Sequence, residues 1–203
     1  MDNRERIITE AAGLFRIYGI KTVTMDSIAN HLGISKRTIY EIFSDKDEVV
    51  FGVLNWMTEK QNELLGKILE ESENSVVAIF RLIEMNRDHF QSMSPVFQAD
   101  LRKYYFDFRS AKKEIMPNFR NHQLIIERGI KEKLFREDIN PDLVNRCLFS
   151  LGKSIMDYDL YPGDQFSRND VLRHTLINYL KGISTPDGLD LINRLENNFK
   201  MIS

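Results

Sequence analysis

The chain has 203 residues, 42% of them hydrophobic and 29% charged, a composition typical of a soluble globular protein and not of a disordered one. Its formal net charge of −2 excludes a protein coated in basic patches, so any surface for nucleic acid must be local. A single cysteine, Cys147, excludes an internal disulfide framework, and with no signal-peptide core we expect a cytoplasmic protein. No apolar run approaches the roughly 18 residues of a membrane span, so no membrane partner is expected.

The first helix is predicted over residues 3–18, where apolar side chains repeat at helical spacing until Gly19 ends the pattern. Thr24 has the side chain of a helix cap, and Asp26 in the next turn suits the helix dipole. Because no Glu or Gln stands three residues after Thr24, we expect the capping box of this second helix to be incomplete.

The segment that follows has the spacing of a helix-turn-helix. Ile28 and Leu32 lie one turn apart on the second helix, and Gly33 falls just past its end, where a left-handed backbone closes a helix at low cost. Ser35 then caps a third helix, predicted over residues 36–43. Two short helices thus cross at a sharp angle, and the second is left free to enter a groove of DNA.

Helical periodicity continues through the rest of the chain, and few prolines and glycines interrupt it. A long fourth helix is predicted from about 46 to 71, followed by a polar break. Further helices are predicted at about 75–91, 95–108, 111–135, 140–158, 168–182 and 187–201. No segment shows the alternating pattern of a strand, so the predicted fold class is all-α, with about nine to ten helices.

The N-terminal residues carry a resemblance to a known family. The agreeing positions are Ala11, Phe15 and Gly19, the segments 22–29 and 33–40, and then Phe43 and Lys46. In these positions, which span about the first 55 residues, the chain resembles the tetracycline-repressor (TetR) family of bacterial transcription regulators. It departs from the family at Glu41 and Ile42, where many members have an aromatic or histidine pair.

The resemblance implies two domains. Residues 1–60 would form an N-terminal three-helix DNA-binding domain, with the helix-turn-helix at about 24–43 and a linking helix from 46. Residues 61–203 would form a larger helical domain that binds an effector and dimerises. In the family, a homodimer places two recognition helices in successive major grooves of a pseudo-palindromic operator.

The third helix carries the predicted base-reading residues. Lys36 and Arg37 lie in its first turn, the part that contacts base edges in this motif, and Arg37 can pair with guanine through two hydrogen bonds. The alternative is that both are solvated surface charges. Glu41 is interpreted as a solvent-facing charge, with acceptance of a hydrogen bond from a cytosine amino group as the alternative.

Phosphate contacts are predicted for the surrounding residues. Tyr40 is expected to point its hydroxyl outward, and the resemblance implies that it contacts phosphate. Lys46 opens the fourth helix, where the dipole disfavours a cation, so a phosphate partner would explain it, as the resemblance also implies. Thr24 and Ser35 are helix caps first, and their hydroxyls and neighbouring amides can also face phosphates. The complete predicted DNA-binding set is Thr24, Ser35, Lys36, Arg37, Thr38, Tyr40 and Lys46.

Aromatic and methionine residues are concentrated between residues 80 and 122. Such side chains at helical spacing form a core more often than a pocket, but residues 104–108 place aromatics on every side of one helix. We therefore expect some of them to line a pocket for a small hydrophobic or amphipathic effector. The candidates are Phe80, Met85, Phe90, Phe97, Tyr104, Tyr105, Phe108, Met116, Phe119 and His122.

Two later helices are candidates for the dimer interface, with the core of the monomer as the alternative for each. The helix at 140–158 carries an apolar stripe of Leu143, Cys147, Leu148, Leu151 and Ile155. The helix at 168–182 carries a second stripe of Val171, Leu172, Leu176 and Tyr179. Because Cys147 belongs to an apolar stripe, we expect it to be buried and not to act as a redox sensor.

The predicted function is that of a sequence-specific DNA-binding transcriptional regulator, a repressor that leaves its operator when a small-molecule effector binds. The alternatives are a helical enzyme and a protein-interaction module without specific DNA binding. We find no P-loop, no G-x-S-x-G, no H-E-x-x-H and no cysteine nucleophile arrangement, so no enzymatic activity is predicted. The four scattered histidines show no ligand spacing, and neither a metal nor a cofactor is predicted.

Overall fold

The computed structural model describes residues 2–110, 119–155, 157 and 159–198, and helices dominate these ranges. The helices are α1 (Asn3–Tyr18), α2 (Met25–Leu32), α3 (Lys36–Tyr40), α4 (Lys46–Glu71), α5 (Ser75–Gln91), α6 (Pro95–Ser110), α7 (Phe119–Lys131), α8 (Pro141–Ile155), α9 (Arg168–Leu172), α10 (Asn178–Ile183) and α11 (Pro186–Asn198). A π-helical turn, Arg173–Ile177, joins α9 to α10. No strand occurs in the described ranges beyond an isolated bridge between Phe135 and Ser184, and the all-α prediction is confirmed.

Most helix boundaries fall where the sequence predicts them, but the third helix is shorter than predicted. It ends at Tyr40, because the amide of Ile42 donates to the carbonyl of Ile39 at 3.0 Å and tightens the last turn. This turn carries Phe43 into the core, where its side chain is 0% exposed. The predicted helix that begins at 111 starts outside the described residues, which also leave out Met116, and its described part is α7.

The chain divides into two compact units. Unit 1 comprises the described residues of Met1–Glu63 and Asp88–Pro117, and unit 2 comprises those of Leu64–Arg87 and Asn118–Ser203. The predicted domain limits, 1–60 and 61–203, stay a prediction. Among the described helices, none is both long enough and apolar enough to cross a bilayer.

The core of unit 1 combines the N-terminal helices with the start of α6. Ile7, Ala11 and Phe15 follow one face of α1, and each is at most 1% exposed. Phe97 of α6 is 1% exposed and belongs to the same apolar cluster. Burying a side chain of this size stabilises the folded state by about 1.5–3 kcal/mol, so α6 is an integral part of the unit that holds the helix-turn-helix.

The core of unit 2 packs α7, α8 and the helices from α9 to α11 around fully buried residues such as Phe135 and Ile192. Helix α7 approaches its neighbours closely at Gly129, where a β-carbon would overlap the ring of Phe135 and the hydroxyl of Ser75. Only glycine fits at this position, because any side chain would push the ring out of the core.

Candidate nucleic-acid interface

Helix α2 starts with a complete capping box. The amide of Ser27 donates to Oγ1 of Thr24 at 3.1 Å, and the amide of Thr24 donates to Oγ of Ser27 at 2.8 Å. The expectation of an incomplete box was therefore wrong, because a serine hydroxyl takes the role that Glu or Gln usually has. The cap fixes the point at which the chain enters the helix-turn-helix.

The turn between α2 and α3 closes as predicted. Gly33 has φ of 66°, in the left-handed region, and its amide bonds to the end of α2. Ser35 then accepts from the amide of Thr38 at 3.1 Å, and the two hydroxyls of these residues are 2.8 Å apart. Both caps, Thr24 and Ser35, have exposed side chains.

The first turn of α3 presents both predicted base-reading cations to solvent, each paired with a carboxylate. The Arg37 side chain is 88% exposed, and its Nε donates to Oε1 of Glu41 at 3.0 Å. Nζ of Lys36 donates to Oδ2 of Asp26 at 2.9 Å, and this hydrogen bond raises the pKa of Lys36. Arg37 and Glu41 stand four residues apart, the spacing at which helical side chains pair, so the sequence contains a signal for the first pair.

One side of α3 is exposed and the other is buried. Ile39 is 0% exposed, whereas Tyr40 is 46% exposed and has Nζ of Lys36 at 6.0 Å from its ring centroid. Phe43 lies in the core, with the guanidinium carbon of Arg4 at 5.2 Å from its ring centroid. Tyr40 is therefore available to a partner outside unit 1, and Ile39 holds the helix in place.

Lys46 lies at the start of α4 and contacts the loop between α1 and α2. Its Nζ donates to the carbonyl of Lys21 at 3.2 Å. Burial lowers the pKa of Lys46 from its ordinary value of 10.5, and the charges of Asp100 and Asp47 act in the opposite direction. The ammonium is thus positioned by a backbone carbonyl, and the Lys46 side chain is partly buried.

Asp100 of α6 is a residue of this region that sequence reasoning missed. It is 3% exposed, accepts from the amide of Lys21 at 3.0 Å and pairs with Nζ of Lys21 at 3.4 Å. It stands 79 positions from Lys21, so no local pattern could have connected the two residues. Asp100 therefore links α6 to the loop whose carbonyl holds Lys46.

The segment that carries these residues is not basic overall. Residues 1–63 contain eight Lys and Arg against ten Asp and Glu, a formal charge of −2. All seven predicted DNA-binding residues have exposed or partly exposed side chains. Non-specific attraction to a polyanion is consequently weak here, and binding must depend on a few well-placed donors.

The predicted pocket residues are divided between the two units. Phe97 is packed in the core of unit 1 and Phe80, 5% exposed, in the core of unit 2, with Met85 partly buried against the latter. Tyr104 is partly buried against the unit 1 core, and His122 is partly buried in unit 2. The side chains of Phe90, Tyr105, Phe108 and Phe119, and all of Met116, lie outside what the structure describes.

The two predicted dimer stripes differ in exposure. Val171, Leu172 and Leu176 are each at most 6% exposed, so this stripe belongs to the core of unit 2. On α8 the inner positions are buried, but Leu143 is 59% exposed and Cys147 is also exposed. The expected burial of Cys147 was wrong, because the buried face of α8 runs through Val144 and Ile155.

A cleft of about 530 Å³ opens beside this exposed edge of α8. Its lining includes Leu143 and Val144 of α8 and Tyr179 and Gly182 of α10. Burial and a hydrogen bond with Cys147 raise the pKa of Tyr179 to about 12. The cleft is mostly apolar in its lining residues and contains none of the predicted pocket residues.

Comparisons with known proteins agree with this geometry. The sequence model of a family described as "Bacterial regulatory proteins, tetR family" matches residues 7–53, which include the helix-turn-helix. The chain is 24% identical to YvaF of Bacillus subtilis, an uncharacterized HTH-type transcriptional regulator, over 92% of this chain and 98% of that protein. It is 26% identical to the HTH-type transcriptional repressor KstR2 of Mycolicibacterium smegmatis, over 91% of this chain and 92% of that protein.

Solved structures show the same fold. A gamma-butyrolactone receptor, an ArpA-like protein, superposes with a TM-score of 0.61 at 21% identity, covering 96% of this chain and 96% of that one. The proteins matched in sequence are regulators of transcription and not enzymes.

Proposed function

We propose that this chain is a DNA-binding transcriptional regulator of the TetR type, whose family model matches residues 7–53, and that it is a repressor released from its operator by a small-molecule effector. The observation that carries the proposal is the first turn of α3, where an 88% exposed Arg37 stands on a helix anchored by the fully buried Ile39. Two relatives support the finer points: KstR2 is named a repressor, and the gamma-butyrolactone receptor is named for a small ligand.

In this proposal α3 enters the major groove and the contacts divide by chemistry. Arg37 and Lys36 read base edges, since both are exposed in the first turn of the recognition helix. Tyr40, Lys46 and the capping hydroxyls of α2 and α3 contact phosphates, which fixes the register of the helix without reading sequence. Such a protein works in the cytoplasm, where the chromosome is.

A homodimer would supply the second recognition helix. The exposed edge of α8 supports this, because a 59% exposed Leu143 beside an apolar cleft is a surface that a second copy can cover. Two-fold symmetry would place the recognition helices on half-sites about one helical turn apart, roughly 34–36 Å, in a pseudo-palindromic operator.

The effector is proposed to be small and hydrophobic or amphipathic, bound in the helical part of the chain that the prediction assigns to 61–203. The supporting observation is compositional: residues 104–108 place aromatic side chains on every side of one helix, more than a single buried face requires. The effector would favour a conformer in which the two recognition helices no longer match both half-sites. The operator affinity would then fall by a factor set by the ratio of the effector's affinities for the two conformers.

The proposal is tested by selecting duplexes from a random DNA pool with the purified protein, then measuring the affinity of the winning duplex at several salt concentrations. Arg37→Ala should cost about 1–3 kcal/mol of binding free energy and relax the preference at one base pair in each half-site. Lys46→Ala should weaken operator and unrelated DNA alike and reduce the slope of log K against log salt by about one per protomer. Failure of the protein to enrich any sequence, or two variants with wild-type footprints, would contradict it.

A further inference from the structure

Only one of the three guanidinium nitrogens of Arg37 donates a hydrogen bond to a described residue. Its Nε donates to Glu41 at 3.0 Å, and its two terminal nitrogens have no partner among the described residues. The side chain is nevertheless 88% exposed, so the terminal nitrogens face away from the core. Arg37 therefore presents two unoccupied donors on a guanidinium that is restrained at one of its three nitrogens.

The restraint comes from the shape of the short helix itself. Glu41 follows Arg37 by four residues, and its amide donates to the carbonyl of Arg37 at 2.9 Å. This backbone bond places the two side chains on one face of α3, one turn apart. The carboxylate is 60% exposed, so it is held next to Arg37 by helix geometry and not by burial.

Reading of guanine by arginine needs two parallel N–H donors, aimed at O6 and N7 in the major groove. An arginine can offer either its two terminal nitrogens or Nε with one of them. Because Glu41 occupies Nε, the terminal pair is the one left to the base, and the carboxylate restrains the orientation of the guanidinium through that one hydrogen bond. Positioned donors discriminate between bases better than a flexible cation, which is attracted to every phosphate.

The charge balance of the segment fits this division. Lys36 is likewise held by Asp26, at 2.9 Å, and residues 1–63 carry a formal charge of −2. Both cations of the recognition turn are thus partly neutralised before any DNA arrives. A DNA-binding segment of this kind gains little from non-specific attraction to phosphates. Its selectivity therefore depends on how each cation is oriented.

We propose that Glu41 is a specificity-determining positioning residue, whose carboxylate takes Nε of Arg37 and aims the two terminal nitrogens at a guanine of the operator. The proposal rests on the DNA-binding function proposed above. It makes Glu41 a partner of Arg37 and not a reader of cytosine.

The test uses the selected operator and a second duplex in which the guanine read by Arg37 is replaced by adenine. That guanine is the one whose replacement no longer matters in Arg37→Ala. The ratio of the two affinities should be about tenfold or more for the wild type, should fall to about threefold or less in Glu41→Ala, and should be intermediate in Glu41→Gln, since the amide oxygen still accepts from Nε. Affinity for poly(dI-dC) should rise on the order of threefold in both variants, because a negative charge is removed.

Two comparisons separate positioning from other roles. Glu63→Ala removes a glutamate of almost equal exposure, 59%, that pairs with Lys60 on α4, and it should leave the guanine-to-adenine ratio unchanged. In an Arg37→Ala background, Glu41→Ala should have no further effect on that ratio, because the group it orients is gone.

An unchanged ratio in Glu41→Ala would overturn the proposal. So would an effect of Glu41→Ala that persists without Arg37, since Glu41 would then contact a base by itself. A wild-type protein that selects no sequence would instead contradict the DNA-binding function, so the two failures are distinguishable.

Discussion

At the scale of single side chains, Asp100 is the residue on which unit 1 depends most clearly for a polar contact. It is a carboxylate with 3% exposure inside a unit whose core is otherwise apolar. A buried charge is costly unless it is paired and hydrogen-bonded, and Asp100 has both kinds of partner in the amide and the ammonium of Lys21. Its position thus fixes the loop that leads into the capping box of α2.

Replacing the Asp100 carboxylate should destabilise the protein, and by more with alanine than with asparagine. Asp100→Asn keeps an oxygen for the amide of Lys21 but loses the ion pair, and because Lys21 is 61% exposed, we expect a loss of only about 1 kcal/mol. Asp100→Ala also leaves the amide without its acceptor and should cost about 2–3 kcal/mol. Urea denaturation measures both. Asp138→Asn is the control, because Asp138 pairs with Arg136 in an exposed ion pair. It should change the free energy of unfolding by less than about 0.5 kcal/mol.

His89 is the second residue with a measurable consequence. Its Nε2 is buried and has no hydrogen-bond partner among the residues that the structure describes, and burial, followed by the charge of Arg16, lowers the pKa of His89 from its ordinary 6.5. The unfolded chain therefore takes up this proton first as the pH falls. The stability contribution of neutral His89 is fully present above pH 6.5 and is lost progressively as the pH falls below that value towards the lower pKa of the folded state.

The lowered pKa of His89 predicts that part of the pH dependence of the free energy of unfolding comes from this one residue. Between about pH 7.5 and 5.5, the free energy of unfolding of the wild type should fall more steeply than that of His89→Leu, which cannot take up the proton. Chemical denaturation at a series of pH values measures the two slopes. Equal slopes for the wild type and His89→Leu would contradict the assignment.

At the scale of elements, side chains at the C-terminal end of α7 bind the end of α4 and the start of α5. Arg128 donates to the carbonyls of Leu69 and Ser72 at 2.8 and 2.9 Å, which satisfies the C-terminal end of α4. Glu132, one turn further on, accepts from the amide of Ser75 at 2.7 Å and so caps the start of α5. The two side chains also pair with each other at 2.6 Å.

Removing the guanidinium should therefore release the ends of two helices at once. Arg128→Ala should lower the free energy of unfolding by about 2–4 kcal/mol, because carbonyls and a partly buried carboxylate lose a charged donor. Arg128→Lys should recover only part of this, since an ammonium cannot reach several carbonyls in one plane. Arg194→Ala, at an exposed arginine of α11, serves as the control in the same denaturation experiment. A loss equal to that of the control would show that the contacts carry little energy.

The elements also show how far sequence reasoning reaches. The bounds of α1 and α4 follow from local signals, since apolar spacing and a glycine or polar stop are read within a few residues. The roles of Asp100 and Arg128 could not be predicted, because their partners lie far away in sequence and are brought near only by the fold. The prediction that Cys147 is buried failed for a related reason. An apolar stripe shows that a helix has a buried face but not how wide that face is.

At the scale of the whole molecule, the proposed function requires two copies of the chain. One recognition helix contacts only a few base pairs, so the operator affinity should depend on holding a second helix at a fixed distance. The exposed Leu143 beside the cleft between α8 and α10 is the residue of unit 2 best placed to be covered by a partner copy. Dimerisation and operator binding should consequently be lost together.

Leu143→Glu should yield a folded monomer, because a charge in a covered apolar contact costs several kcal/mol while the same charge in a monomer is solvated. Light scattering on a sizing column measures the mass, and operator affinity should fall at least about 100-fold as the second half-site is lost. Leu160→Glu changes a leucine of nearly equal exposure, 57% against 59%, outside α8 and should keep both the dimer and the affinity. If Leu143→Glu remains a dimer with wild-type operator binding, the interface lies elsewhere on the surface, and the exposed edge of α8 must be explained without a second copy.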